Sequence, residues 1–206
     1  MEVINNQQSL IALVNSLKSS EIKAIVDKRI NEFEAIPHDF ENLFRELAFC
    51  ILTAGTSAEL GIKTINYLGE TLFSGSEQEI QKKLEEVYRF HTIRASYLYN
   101  ARDSFKKLDI NHPDIRNQLV QNIKGIGMKE ASHFLRNIGF KDYAIVDFHI
   151  VDVLVNYGVI EKPKTLNQKK YLEIENTLRK LASKLNMSLA ELDLYLWYHE
   201  TGKVLK

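Results

Sequence analysis

An all-α fold of two helical lobes with a cleft between them is what this sequence predicts, and three observations predict it. Apolar residues recur at helical spacing through almost every segment. The patterns Ser76–Glu79, Thr165–Gln168 and Ser188–Glu191 match S/T-x-x-E/Q, in which hydroxyl and acid or amide reciprocally satisfy the free amides of a helix start. Gly69, Gly139, Gly158 and Gly202 fall where helices should stop. The one strand-like run, Tyr143–Val146, is too short and isolated to found a sheet.

Taken in order, Leu10, Leu13, Val14 and Leu17 share one helical face, as do Ile22, Ile25, Val26 and Ile30. Pro37 and Asp39 punctuate the chain before Leu43, Leu47, Cys50 and Ile51, whose spacing suits a buried helix. That helix ends in small residues, Leu52-Thr53-Ala54-Gly55-Thr56-Ser57. Aromatic residues are dense from Phe73 to Phe105 and again at Tyr195, Trp197 and Tyr198; at helical spacing most belong to the core. No internal repeat is visible. The lobe boundary stays open, because the N-terminal helices can pack back on the C-terminal ones.

The 206 residues, 45% hydrophobic and 26% charged, suit a soluble protein able to bury a sizeable core. No apolar run approaches the ~20 residues that span a bilayer, and the N-terminus lacks a signal peptide's basic start. No membrane association and a cytoplasmic location are the expectations. The single cysteine, Cys50, excludes an intramolecular disulfide and reads as a core residue. The six histidines form no HxxxH or HExxH, and one cysteine cannot complete a zinc set.

Net charge is zero, but it is unevenly spread. Residues 1–60 carry five basic and nine acidic side chains; residues 81–107 carry seven basic and three acidic; residues 116–141 carry five basic and one acidic. Such asymmetry suits a protein with one side facing a polyanion, although charge runs are more often solvated faces.

The stretch from Asn122 to Ile150 carries the chemistry. Gly125 and Gly127 stand two apart in Ile123-Lys124-Gly125-Ile126-Gly127, ahead of a helix-prone segment, Met128–Asn137. This is the pattern of a tight turn between helices, a hairpin spanning residues 116–138. The amides of Gly125, Gly127 and Met128 then point from a helix N-terminus and form a seat for an anion such as a phosphate. A dinucleotide-binding loop would need a third glycine where Glu130 stands, and a preceding strand; neither is present. A helix–hairpin–helix gripping a DNA phosphate, without reading sequence, fits better.

Lys129 lies in the first turn of the second hairpin helix, where the dipole's positive end disfavours the charged amine. A neutral lysine amine is a nucleophile able to form Schiff bases. Asp147 closes the run Tyr143–Val146 and stands as an N-cap. Taken singly, a helix lysine is more often a solvated charge, and an aspartate before a helix is more often only a cap.

The order hairpin, Lys129, then Val146-Asp147-Phe148-His149 resembles the lysine-bearing branch of the helix–hairpin–helix DNA glycosylase superfamily. Glu46–Ala58 (ELAFCILTAGTSA), KEASHFLRNIGF and the tail ELDLYLWYHETGKVLK further resemble the archaeal-type 8-oxoguanine DNA glycosylase/AP lyases, over nearly the whole chain. The resemblance implies the helix–hairpin–helix glycosylase fold with a DNA-binding cleft, damaged double-stranded DNA as partner, and a monomer. It implies excision of 8-oxoguanine and strand nicking by β-elimination, with Lys129 as nucleophile and Asp147 as the acid that supports it. The iron–sulfur cluster of some relatives is excluded by the single cysteine, and no cofactor is expected.

Further roles follow from the resemblance alone. Gly55 or Thr56 enters the DNA, where relatives often have Asn or Gln in place of Gly55. His149 contacts a phosphate. Trp197 stacks on the extruded base, with Phe90 its partner from the other lobe, and Lys206 with its carboxylate recognises the lesion. Main-chain carbonyls of Gln121, Ile123 and Ile126 hold a structural cation at the hairpin. Two other readings stay open at this point: a glycosylase for a different oxidised base, and a non-catalytic DNA-binding module.

Overall fold

The computed structural model describes residues 6–205, and all regular structure among them is helical. The chain divides into two compact units, one of Ile36–Ile138 and one of Met1–Ala35 with Gly139–Lys206.

The continuous unit is built on α3 (Phe40–Thr53), opened by an Asp39 cap that accepts from the Asn42 amide at 3.0 Å. That bond holds the Asp39 carboxyl below its usual range. Ten residues of α3 are buried, so it is a central helix with little solvent face. α1 (Gln7–Lys18) and α2 (Ile22–Glu34) precede it in the chain and belong to the other unit; after it come α4 (Ala58–Leu68), α5 (Thr71–Ser74), α6 (Glu77–Val87), α7 (His91–Phe105), α8 (Ile115–Asn122) and α9 (Met128–Asn137). α4, α7 and α9 pack on α3. Phe105 bridges the layers, its ring 6.4 Å from Phe44 and 5.6 Å edge-on to Phe134. Full burial of Phe44 and Phe134 contributes roughly 1.5–3 kcal/mol each. Every residue from Ala131 to Ile138 is buried, so α9 is held on all sides beyond its first turn.

The second unit comprises α1 (Gln7–Lys18), α2 (Ile22–Glu34), α10 (Phe148–Asn156), α11 (Gln168–Lys184) and α12 (Leu189–Thr201). α12 packs on all four others, which is why Leu192–Leu196 is buried without interruption. The N-terminal helices thus do pack back on the C-terminal ones. Tyr195 lies in this core, and its phenol is pushed up to about 12, chiefly by burial and then by Asp27.

Two of the three expected capping boxes form: Ser76 with Glu79, and Ser188 with Glu191. The third does not. Asn167, a stronger cap than Thr165, accepts from the Lys170 amide at 2.9 Å and starts α11 two residues later. Gln168 becomes the first helical residue instead of the third. Gly69, Gly139, Gly158 and Gly202 all take positive φ at or just past helix ends.

Tyr143–Val146 has no regular structure and joins no sheet. Its backbone is satisfied by side chains of α11: the Ala144 amide donates to Glu175 at 3.1 Å, the Val146 amide to the Tyr171 hydroxyl at 3.1 Å, and that hydroxyl donates to the Ala144 carbonyl at 2.7 Å. The strand-like composition therefore marks a connector braced by α11 through the Ala144 and Val146 amides and the Ala144 carbonyl.

Candidate active site

The hairpin forms where the sequence places it. α8 ends at Asn122 with Ile123 as its C-cap, and the Ile126 amide donates to the Ile123 carbonyl at 3.3 Å to tighten the turn. Gly125 takes φ +87°, and a Cβ built there would lie 2.4 Å from the Tyr97 ring, so the position excludes side chains twice over. α7 thereby fixes the height of the turn through Tyr97.

The expected trio of amides is divided. Gly125 and Met128 donate to no acceptor among the described residues. Gly127 is the N-cap of α9, and its amide donates at 3.3 Å to Glu130 Oε2, an internal anion in the place foreseen for an external one. Lys129 projects from the first turn, its side chain 28% exposed, with Nζ 3.8 Å from Glu130 Oε1. The far end of α9 is anchored, because Asn137 donates to Glu46 of α3 at 3.2 Å.

Carbonyl oxygens are the kind of donor a hard cation takes. Those of Gln121 and Ile126 accept no hydrogen bond among the described residues, and that of Ile123 accepts only the Ile126 amide. No group of three or more histidine, cysteine or acidic side chains is placed to hold a metal among the described residues.

In the same unit, Gly55 is exposed at φ +80° with open space around it. Thr56 turns inward, its hydroxyl donating to the Leu52 carbonyl at 2.7 Å. Arg94 holds the loop by donating to the Ala54 carbonyl at 2.7 Å, a tether that sequence reading did not find. Phe90 is the N-cap of α7, half-buried, with the Arg89 guanidinium 4.6 Å above its ring.

Asp147 stands in the other unit as the N-cap of α10, with Oδ1 accepting from the Ile150 amide at 3.0 Å. Oδ2 has no partner among the described residues, so half the carboxylate remains for chemistry. His149 follows, its ring 4.8 Å edge-on to Trp197 and its Nδ1 3.8 Å from Glu200 Oε1. The fold thus brings His149 and Trp197 together where α10 meets α12, with Asp147 capping α10 two residues before His149. Phe148 between them is 68% exposed, and its ring lies against His149 at 3.9 Å. Sequence reading passed over it, although an apolar residue at the first position of a helix was the available signal. Trp197 is half-buried, and its Nε1 is buried without an acceptor among the described residues. Lys206 lies outside the described residues.

Residues 26–187 match the family model described as 8-oxoguanine DNA glycosylase. A protein named 8-oxoguanine DNA glycosylase/AP lyase from Korarchaeum cryptofilum is 47% identical, with 96% of this chain and 98% of that protein covered. A crystal structure of the Methanocaldococcus jannaschii 8-oxoguanine glycosylase/lyase, in complex with a 15mer DNA containing 8-oxoguanine, superposes with a TM-score of 0.89 at 47% identity, covering 96% of this chain and all of that one. The Thermotoga maritima 8-oxoguanine DNA glycosylase superposes at 0.90 and 39% identity, covering 98% of this chain and all of its own. A glycine hairpin followed by Lys129, an N-capping Asp147 and a likeness that runs nearly from end to end have one common explanation: the chain belongs to the 8-oxoguanine DNA glycosylase family.

Proposed function

We propose that this protein is a bifunctional DNA glycosylase/AP lyase that excises 8-oxoguanine from double-stranded DNA and nicks the strand at the vacated site. The observation that carries the reading is the placement of Lys129. Its amine projects from a helix start whose neighbouring amides can seat a phosphate, on a helix otherwise locked into the core.

Extruding a base from the duplex costs a few kcal/mol, which phosphate and pocket contacts must offset. The amides of Gly125, Gly127 and Met128 hold one backbone phosphate, and His149 holds another. Gly55 and Thr56 belong to the loop that enters the duplex. Trp197 and Phe90 are assigned to stacking on the extruded base. A pocket acceptor, for which Lys206 and its carboxylate are the candidates, would separate 8-oxoguanine from guanine, because the lesion carries an N7–H donor where guanine has a lone pair.

The Asp147 carboxylate stabilises the positive charge that develops on the sugar as the C1′–N9 bond breaks. Nζ of Lys129, as the neutral amine, bonds to C1′, and the proton it sheds is relayed through Asp147 to the departing base. Opening of the sugar gives a Schiff base. Loss of a proton from C2′ then expels the 3′ phosphate by β-elimination, and water releases the lysine. Carbonyls of Gln121, Ile123 and Ile126 would hold a structural cation, which would stiffen the turn. The reading needs no organic cofactor or iron–sulfur cluster, and it places the protein in the cytoplasm as a monomer. No helix among the described residues is long and apolar enough to cross a membrane.

Borohydride trapping on a duplex with one 8-oxoguanine, beside an undamaged control, tests this directly. A covalent adduct with the lesion duplex alone, absent in Lys129→Gln, is expected. A wild-type protein that leaves the lesion duplex intact and unlinked would overturn the reading.

A further inference from the structure

The two serine capping boxes supply a standard against which the start of α9 can be judged. In each, the cap amide donates to the carboxylate at 2.7 Å, Ser76 to Glu79 and Ser188 to Glu191. In each, the serine hydroxyl also bonds the carboxylate, at 2.8 and 2.7 Å respectively, and receives the amide three residues on. Gly127 has no hydroxyl, so Glu130 is held there by one bond of 3.3 Å. This cap is the loose one of the three.

Space points the same way. A Cβ at Gly127 would lie 3.2 Å from Glu130 Oε2, so the bare glycine leaves room for an oxygen against its amide. Gly125 and Met128 keep amides without acceptors beside it. The remaining oxygen of Glu130 faces Lys129 Nζ at 3.8 Å, and Glu130 is the one ion-pair partner of that amine among the described residues. Both side chains are largely covered, at 18% and 28% exposure, so the pair is less screened than a surface pair.

We propose that Glu130 is a positioning residue that acts as an internal stand-in for phosphate: in the free protein its carboxylate occupies the hairpin's anion seat and holds Lys129, and a backbone phosphate must displace it. Two anions cannot share the Gly127 amide. Seating of the phosphate therefore also strips Lys129 of its partner. Displacement weakens contact with any phosphate backbone, damaged or not, so Glu130 restrains binding to undamaged DNA. The inference rests on the hairpin being the phosphate seat of the proposed glycosylase.

The test is a titration of the full chain with inorganic phosphate, followed by backbone amide NMR at Gly127 and by the Lys129 Cε–H signals. Glu130→Gln removes the charge. Glu130→Asp keeps the charge but shortens the reach. Both variants should lower the phosphate midpoint at Gly127 three- to ten-fold and tighten binding of an undamaged duplex by a similar factor. In the wild type, Lys129 should move with the same midpoint as Gly127.

A gain in Glu130→Gln alone would mean that only net charge matters, and it would overturn the proposal. So would no gain in either variant, or a Lys129 midpoint unlike that of Gly127. If the variants fail to fold, the wild type decides: the Gly127 amide and Glu130 Cδ must shift together as undamaged duplex is added, and static signals overturn the proposal. A wild type that cuts the lesion duplex while Glu130→Asp titrates like it would sink this inference alone. A wild type that does not cut would sink the functional reading instead.

Discussion

Asn137 donates its side-chain amide to the Glu46 carboxylate at 3.2 Å, with both residues buried, and so fastens the end of α9 to the middle of α3. Asn137 Oδ1 in turn accepts from Arg136 at 2.9 Å. Removing the acid leaves buried donors without their acceptor, a cost of about 1–3 kcal/mol beyond the lost bond. Glu46→Ala should lower stability by roughly 2–4 kcal/mol in urea unfolding, whereas Glu46→Gln, which retains an acceptor, should lose distinctly less.

Asp147 serves two purposes that one pair of variants can separate. Asparagine caps helices about as well as aspartate, and alanine does not. Asp147→Asn should keep the melting temperature near wild type while excision falls by about 10²–10⁴-fold. Asp147→Ala should lose the same activity and about 1 kcal/mol of stability besides. An Asp147→Asn protein with full turnover would leave the residue as a cap and nothing more.

Gly125 combines positive φ with the Tyr97 ring against its Cα. Gly125→Ala should destabilise by about 1–3 kcal/mol and weaken binding to any duplex, damaged or not. Adding Tyr97→Ala should recover the steric part but not the backbone part. Calorimetric melting of the two single variants and the double variant, closed as a cycle, measures that division.

Tyr195 gives the protein an alkaline limit. Its folded phenol is pushed up to about 12, whereas an unfolded tyrosine ionises near 10. The contribution is therefore complete below pH ~10 and disappears as pH rises from there through about 12. It is at most about 3 kcal/mol. Unfolding of wild type and Tyr195→Phe, compared between pH 8 and 11, should show a steeper alkaline loss in the wild type.

Much of this was legible in the residues because the determinants are local. Helical spacing, two serine boxes and four stopping glycines need only neighbours within a few positions, and the all-helical fold followed from them. The hairpin was legible because two glycines and the flanking apolar residues admit few backbones. Thr165 misled because a better cap stood two residues later, and a motif match says nothing of its competitors. Glu130 read only as the residue that spoiled a dinucleotide loop; its reach back to Gly127 depends on a rotamer that no spacing encodes. Arg94 and Tyr97 were illegible for a different reason. Their partners, Ala54 and Gly125, lie far along the chain, and the contacts exist only once α7 is packed.

The connector before Asp147 has one more consequence. An apolar stretch such as Tyr143–Val146 would ordinarily offer its amides and carbonyls to a second chain and invite strand-by-strand aggregation. Tyr171 and Glu175 take the amides of Ala144 and Val146, and Tyr171 also takes the Ala144 carbonyl. The protein thereby carries its most β-prone segment beside a candidate catalytic acid without presenting a template edge, and a Tyr171→Phe variant would be the place where that protection first fails.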